Sequence, residues 1–368
     1  MRVCHFTTSF TDNRFFRSIA LGLSGRGVSV SLGSLREPRE PNWLAEAPGV
    51  EYFALHSPRR RQYAGAVLSL ARFLRRHRVE VLHTHLFDAG VVGLVAARLV
   101  RTPVLIHTRH HHDEHFLIGT RAHVALDRLV IRTADRALVV SRAAREHLIE
   151  RESIDPEQIE VVPIGWDFDT LTAGAEEASR VRAELGLDSA FVIGYVARFI
   201  PFKGHDVLLS AAAALAPSIP NLRLLFVGDG PRRDLERMID ELGLSERVVF
   251  AGFRRDVMAC MRAMDVFVHP SRTESLSQVL VEAMAAETPV VATQVGGAAE
   301  IVEPGETGLL VPPDDSAAIE RAVLRMHTDP ELRLRLGRNA RVSVSERFPL
   351  DRMLDRLVDT YEHCLGKA

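Results

Sequence analysis

Two successive series of short apolar runs, each alternating with stretches of helical length, constrain this chain more than any other feature. After a β-like N-terminal stretch (MRVCHFTTSF), strand-like runs occur at 28–32, 50–55, 79–83, 103–108, 137–141 and 160–163. Short, apolar strands separated by helix-length segments call for right-handed crossovers and a mostly parallel sheet. The rhythm breaks across 166–189 (WDFDTLTAGAEEASRVRAELGLDS), whose polar and small residues read as a linker. It resumes with strands at 191–197, 222–227, 248–251, 266–269, 289–293 and 308–311. The expectation is an α/β chain of two Rossmann-like, doubly wound domains, 1–165 and 190–348, each large enough to bury its own core. Open α/β sheets bind ligands at the carboxyl ends of their strands, so the domains are expected to face each other across a cleft that holds the site. A final helical pattern over 349–368 is expected to pack back on the N-terminal domain.

Composition narrows the class. The chain is 46% hydrophobic and 26% charged, as in an ordinary globular protein. Its longest apolar run, 90–100 (GVVGLVAARLV), is far short of the ~20 residues that cross a bilayer and suits a buried helix. The N-terminus lacks the apolar core of a signal peptide, so a cytoplasmic location is expected. Cys4, Cys260 and Cys364 are far apart and show no CxxC spacing, which suits reduced, buried thiols. A net charge of −2 argues against a nucleic-acid partner. That charge is unevenly spread, because residues 1–165 hold 23 Arg and no Lys against 17 acidic residues, a balance of +6.

Residues able to handle a phosphorylated ligand lie at two strand ends of the second series. The run FVIGYVARF ends near Arg198, and Lys203-Gly204 opens the helix pattern that follows. A guanidinium, an ammonium and a helix N-terminus at the mouth of a sheet form a site for a diphosphate. The alternative, ordinary loop charges, is weakened by usage: only Lys203 and Lys367 interrupt a chain with 44 Arg, which suggests that a compact point charge is wanted at 203. Further on, Glu274 and Glu282 flank a segment read as helical from about Ser275. Eight helical steps would separate the two carboxylates by ~12 Å along the axis. A carboxylate pair working on one glycosidic bond is ~5 to 9.5 Å apart, so the two are expected to serve different parts of one long ligand. On spacing alone they could equally be two solvated helix residues.

Arg198, Lys203-Gly204, the E-x7-E pair Glu274/Glu282 and Gly296-Gly297-Ala298-Ala299-Glu300 resemble the retaining GT-B glycosyltransferases of the large family-4 group. The likeness extends through His83-Thr84-His85, Ala134-Asp135-Arg136, Val162-Pro163-Ile164-Gly165 and Val227-Gly228-Asp229-Gly230-Pro231. It implies a nucleoside-diphosphate-sugar donor. In such enzymes the residues matching Arg198 and Lys203 hold the donor diphosphate, the first Glu lies beside the donor sugar, and the second binds the ribose hydroxyls. The implied donor site comprises Arg198, Lys203, Gly204, Gly252, Phe253, Glu274, Ser275, Leu276, Ser277 and Glu282, with Gly252-Phe253 bordering the base. His110 stands where similar enzymes carry a histidine near the donor sugar, and with Glu274, Arg198 and Lys203 it completes the expected catalytic set. Fixed positive charge on the leaving group is the main aid to such a transfer, so no divalent metal or other cofactor is expected.

The sequence departs from the family pattern at Phe10-Thr11, where relatives carry Gly-Gly, and at Ser275, where Gly is common; a serine is tolerable at a helix N-terminus. Residues 111–115 (HHDEH) match the H-x-x-E-H pattern of some zinc peptidases. They follow a sheet strand in a loop, so His111, His112 and His115 are read as shaping the acceptor side or capping the next helix. Two other readings fit the same resemblance: a catalytically inactive sugar-nucleotide-binding subunit and a sugar-nucleotide epimerase. Residues 59–78 contain seven Arg and no acid. In a helix from Tyr63, the spacing of Tyr63, Val67, Leu70 and Leu74 makes a buried face. The arginines are then either a solvated surface or a patch for an anionic membrane presenting a lipid-linked or polysaccharide-precursor acceptor.

Overall fold

The computed structural model describes residues 1–10, 14–36, 40–110 and 120–367. The chain divides into two compact units, Met1–Gly165 with Leu350–Ala368, and Trp166–Pro349.

The first unit is built on strands β1 (Arg2–Thr7), β2 (Ser29–Ser34), β3 (Glu51–Ala54), β4 (Val81–His85), β5 (Val104–Arg109), β6 (Arg136–Val139) and β7 (Ile159–Val161). They form one parallel sheet in the order β3-β2-β1-β4-β5-β6-β7. The strand order reverses between β1 and β4, which makes the carboxyl ends of these two strands the topological switch point. His83-Thr84-His85 lie within β4, where the N-terminal reading ended the strand at 83. Both imidazoles find polar partners in the interior, so the ladder continues through them.

The second unit repeats the design with β8 (Phe191–Val196), β9 (Leu222–Val227), β10 (Val248–Gly252), β11 (Val266–His269), β12 (Val290–Thr293) and β13 (Leu309–Val311). All its pairs are parallel, in the order β10-β9-β8-β11-β12-β13. Its switch point lies between β8 and β11.

Two segments correct the sequence reading or complete it. Residues 166–189 are not a free linker: the helix Ala175–Glu184 packs on the helix Val257–Arg262, and Arg182 donates to the carbonyls of Ala190 and Ala263. Small residues in this stretch permit close packing as readily as flexibility. The helix Leu350–Leu365 belongs to the first unit, burying Met353, Leu354, Leu357, Tyr361 and Cys364 against Ile19 and Leu23. All three cysteines are buried and free. Among the described residues no helix is long and apolar enough to cross a membrane.

The arginine-rich segment forms the helix Tyr63–Arg76, which buries Ala66, Leu70, Ala71 and Leu74. Tyr63 and Val67 sit at the margin of that face, half-buried and packed against the same cluster. All seven arginines are exposed.

Candidate active site

In the second unit, two loops that follow the switch-point strands hold most of the predicted site. After β8 the chain passes Arg198, makes the single turn Pro201–Lys203 and enters the helix His205–Leu215 through Gly204. After β11, residues 270–277 lead to the helix Gln278–Ala285. The Arg272 amide donates to the Phe202 carbonyl at 2.8 Å, and the Arg272 guanidinium binds Asp206 and Asp314. Two glycines are required for this geometry. Gly204 has φ +69°, and a Cβ there would lie 2.1 Å from the Pro270 carbonyl oxygen. Gly296 has φ +45°, and a Cβ would lie 1.8 Å from that of Glu274. No side chain other than hydrogen fits at either point.

Lys203 and Glu274 meet directly. Lys203 Nζ donates to Glu274 Oε1 at 2.5 Å. The same oxygen accepts from Ser271 Oγ at 2.9 Å, and His269 Nε2 lies 3.3 Å away. Tyr195 Oη is 3.0 Å from Ser271 Oγ, and Ser277 Oγ is 2.5 Å from His269 Nε2. Burial alone would raise the Glu274 pKa, but the contacts with His269 and Lys203 outweigh it and hold the carboxylate down at about 2. Glu274 is therefore an anchored anion, with a cation whose other two N–H donors have no partner among the described residues. Arg198 is exposed and has no ionic or hydrogen-bonded side-chain partner among the described residues. Its guanidinium is free to meet a ligand.

The helix begins at Gln278, three residues later than expected, so Glu274 and Ser275 sit in a loop and the ~12 Å helical spacing to Glu282 does not apply. Ser277 stands at the N-cap in extended conformation, but its hydroxyl serves His269 and does not cap the helix, which leaves the first amides without a side-chain acceptor among the described residues. Ser275 Oγ is buried and unpartnered among the described residues. Leu276 is buried, and Glu282 is half-buried on the helix. Gly252 closes β10 with φ +65°, and Phe253 beside it is 74% exposed, a large aromatic face open to a flat ligand.

His110 belongs to the first unit, at the end of β5. The strand end is pinned by buried Arg109, whose Nη1 donates to Glu152 Oε1 at 2.5 Å. His110 is half-buried, with Nε2 3.0 Å from His85 Nδ1 and its ring edge-on to Phe15. Burial holds its pKa down at about 4, so the ring is neutral at physiological pH. Phe10 is buried against Phe16 and Tyr52 and presents no side chain to a ligand. Thr11 and the zinc-like residues His111, His112 and His115 lie outside the described residues. A cavity of about 860 Å³ in the first unit, lined by Arg98, Arg101, Asp135, Arg136 and Lys367 among others, contains none of the predicted site residues.

Residues 13–165 match the glycosyl transferase 4-like domain, and residues 178–343 match the family described as glycosyl transferases group 1. The D-inositol 3-phosphate glycosyltransferase of Corynebacterium glutamicum is 34% identical over 299 residues, which is 76% of this chain and 71% of that relative. The chain belongs to the group 1 glycosyl transferases. The 2-deoxystreptamine glucosyltransferase of Streptomyces kanamyceticus is 32% identical over 324 residues, covering 83% of this chain and 82% of its own length. Among solved structures, Anabaena HepE in complex with UDP-glucose superposes with a TM-score of 0.87 at 25% identity, covering 99% of this chain and 100% of that one. The protein is thus a transferase enzyme of GT-B fold.

Sequence reasoning overlooked part of what surrounds the predicted residues of this group 1 transferase. His269 and Ser271 fix Glu274, and Tyr195 on β8, 76 residues away in the chain, braces Ser271. The stretch HPSRTE carried the first two in plain view, but their role depends on β8 and β11 being neighbours. His5, His83, His85 and Tyr361 form a buried set around His110. Their signal, imidazoles at alternate positions of strands, was visible, but Tyr361 arrives from 278 residues beyond His83.

Proposed function

We propose that this enzyme transfers a sugar from a nucleoside-diphosphate sugar to an acceptor hydroxyl with retention of anomeric configuration. The carrying observation is the Lys203–Glu274 pair in the loops that open two helices, with the exposed Arg198 in the same loop after β8. Lys203 keeps Glu274 ionised and still has two donors for a diphosphate, while Arg198 supplies the second cation. Together they stabilise the charge that develops on the leaving group. A carboxylate with a pKa of about 2 is a poor general base at neutral pH. The departing diphosphate oxygen is then the base for the incoming hydroxyl, which enters on the face it vacates, and retention follows. Glu282 takes the ribose, and Gly252-Phe253 border the base, with Ser275, Leu276 and Ser277 lining the diphosphate and sugar; His110, at the position where similar enzymes carry a histidine near the donor sugar, is the first unit's candidate for the reaction. Because HepE carries UDP-glucose, UDP-sugars are the first donors to try. With the anchored Lys203 and the exposed Arg198 to neutralise the diphosphate the chemistry needs no divalent metal, and turnover is expected to persist in excess EDTA.

Release of UDP from UDP-glucose, dependent on an added acceptor and followed by proton NMR of the product's anomeric centre, tests the reading. A β-linked product, or turnover that vanishes in EDTA and returns with magnesium, overturns it. Two of the relatives are named for D-inositol 3-phosphate and for 2-deoxystreptamine, which favours a small hydroxylated ring as the acceptor. The exposed arginines of 59–78 favour a second reading, a lipid-linked acceptor at an anionic membrane face.

A further inference from the structure

The interior of the first unit holds a continuous chain of six polar groups. Thr108 Oγ1 is 2.6 Å from His83 Nε2, and His83 Nδ1 is 2.7 Å from Tyr361 Oη. Tyr361 Oη is 3.3 Å from His5 Nε2, His5 Nδ1 is 2.9 Å from His85 Nε2, and His85 Nδ1 is 3.0 Å from His110 Nε2. His5, His83, His85, Thr108 and Tyr361 are all buried. The chain starts on β5, crosses to β4, touches the C-terminal helix, passes through β1 and returns to the half-exposed His110.

Burial lowers the pKa of each imidazole: His5 to about 3, His110 to about 4, and His83 and His85 well below the usual value. Each neutral ring therefore carries one N–H, and each hydroxyl one O–H. Six hydrogens serve five bonds. If every bond holds one hydrogen, all groups must donate in the same direction along the chain, so only two orders exist. In one, His110 donates inward from Nε2 and the surplus hydrogen falls on the Thr108 hydroxyl. That hydroxyl is buried and has no second partner among the described residues, so the order leaves a buried donor unpaired, which is costly. In the other, Thr108 donates first, His85 Nδ1 donates to His110 Nε2, and the surplus hydrogen sits on His110 Nδ1 at the half-exposed end.

We infer that the buried Thr108–His83–Tyr361–His5–His85 chain fixes His110 as the Nδ1–H tautomer, so that His110 offers its ligand a hydrogen-bond donor and not a base. His85 is the positioning residue and acts through His110. An alternative use of the same side chains is a metal site, since ligand atoms of His5, His83 and His85 lie within 4.8 Å of one another. The hydrogen-bond chain already occupies both nitrogens of each of these three rings, so a cation there would have to break it.

The tautomer is read directly from nitrogen-15 chemical shifts of the histidine rings at pH 7, without substrate. The expected result is a protonated Nδ1 and an unprotonated Nε2 on His110. His85→Leu should turn His110 into a mixture of both tautomers, and His85→Gln, whose amide can still donate, should restore Nδ1–H. A proton on His110 Nε2 in the wild-type protein overturns the inference. So does a transition metal bound one-to-one in the wild-type protein and lost in His85→Leu. Only the position of the ligand rests on the proposed function: His85→Leu should cost turnover about tenfold, the scale of one neutral hydrogen bond, with recovery in His85→Gln. Unchanged turnover with the expected nitrogen shifts would remove His110 from the reaction while leaving the tautomer assignment intact.

Discussion

The two units use one architecture, a parallel sheet with a switch point, to build opposite electrostatic environments at the carboxyl ends of the central strands. In the second unit the strand ends β8 and β11 carry an ionised pair, Lys203–Glu274, supported by His269 and Ser271. In the first unit the corresponding strands β1 and β4 carry neutral imidazoles linked to one another and to Tyr361. The difference lies in how each interior meets the desolvation of its polar groups. An opposite charge compensates a buried carboxylate, whereas a histidine without such a partner loses its proton and settles for neutral hydrogen bonds. A scaffold thus decides where chemistry sits, and the local partners decide its charge.

The sharpest way to break this comparison is to remove the cations. Lys203→Ala and Arg198→Ala should each cost ~2 to 4 kcal/mol of transition-state stabilisation, a loss of roughly 30- to 1,000-fold in kcat/KM. Their effects on stability should differ: Arg198 is exposed and loses nothing on folding, while Lys203→Ala strips a partner from the part-buried Glu274 and should lower Tm. Steady-state kinetics with calorimetric melting checks both, and turnover within a few-fold of wild type in either variant contradicts the role assigned to the pair. The carboxylates separate next. Glu282→Ala should weaken binding of free UDP about tenfold or more, as loss of a charged hydrogen bond does, whereas Glu274→Ala should leave UDP affinity nearly intact and depress turnover. Equal losses of UDP affinity by titration calorimetry would show that the two share one part of the ligand.

Acid distinguishes the units themselves. The imidazoles of the first unit have folded pKa values below their unfolded value of about 6.5, so the unfolded chain binds protons that the folded one refuses. Their contribution is complete above pH 6.5 and is lost as pH falls toward 4 and then 3. In the second unit Glu274 has a folded pKa of about 2, below its ordinary value near 4.5, so its contribution persists until pH falls below 4.5; one buried imidazole there, His205, is held down at about 4 by burial, against four such rings in the first unit. The chain has only two tryptophans, Trp43 in the first unit and Trp166 in the second, both buried. Single-tryptophan variants Trp43→Phe and Trp166→Phe therefore report one unit each. The Trp43 signal is expected to change at higher pH than the Trp166 signal, and a coincident or reversed order would undo the contrast. The smallest expected effect concerns the surface. If the arginines of 59–78 meet a membrane, the protein should sediment with anionic but not zwitterionic vesicles, less so as salt rises. Changing Arg59, Arg60, Arg75 and Arg76 to Ser should abolish this and leave UDP binding unchanged. A protein that stays in the supernatant at low salt has only a solvated arginine face.

By itself the sequence determined the doubled α/β rhythm, because strand and helix periodicities are local and each short apolar run needs burial on both faces. It also determined the residues at the strand ends, since Arg198, Lys203 and Glu274 stand immediately after strands that any reading of the pattern would draw. Only the tertiary structure decided that Lys203 would grip Glu274, that Ser277 would serve His269, that the helix would begin only at Gln278, and that residues 166–189 would fold into the second unit. It alone brought Tyr361 to His5 and His83, 356 and 278 residues away in the chain. Hydrogen bonds and ion pairs are short-ranged and directional. A partner supplied by a neighbouring strand or a returning helix leaves no local trace, and the protonation state of a buried group depends on which partners arrive.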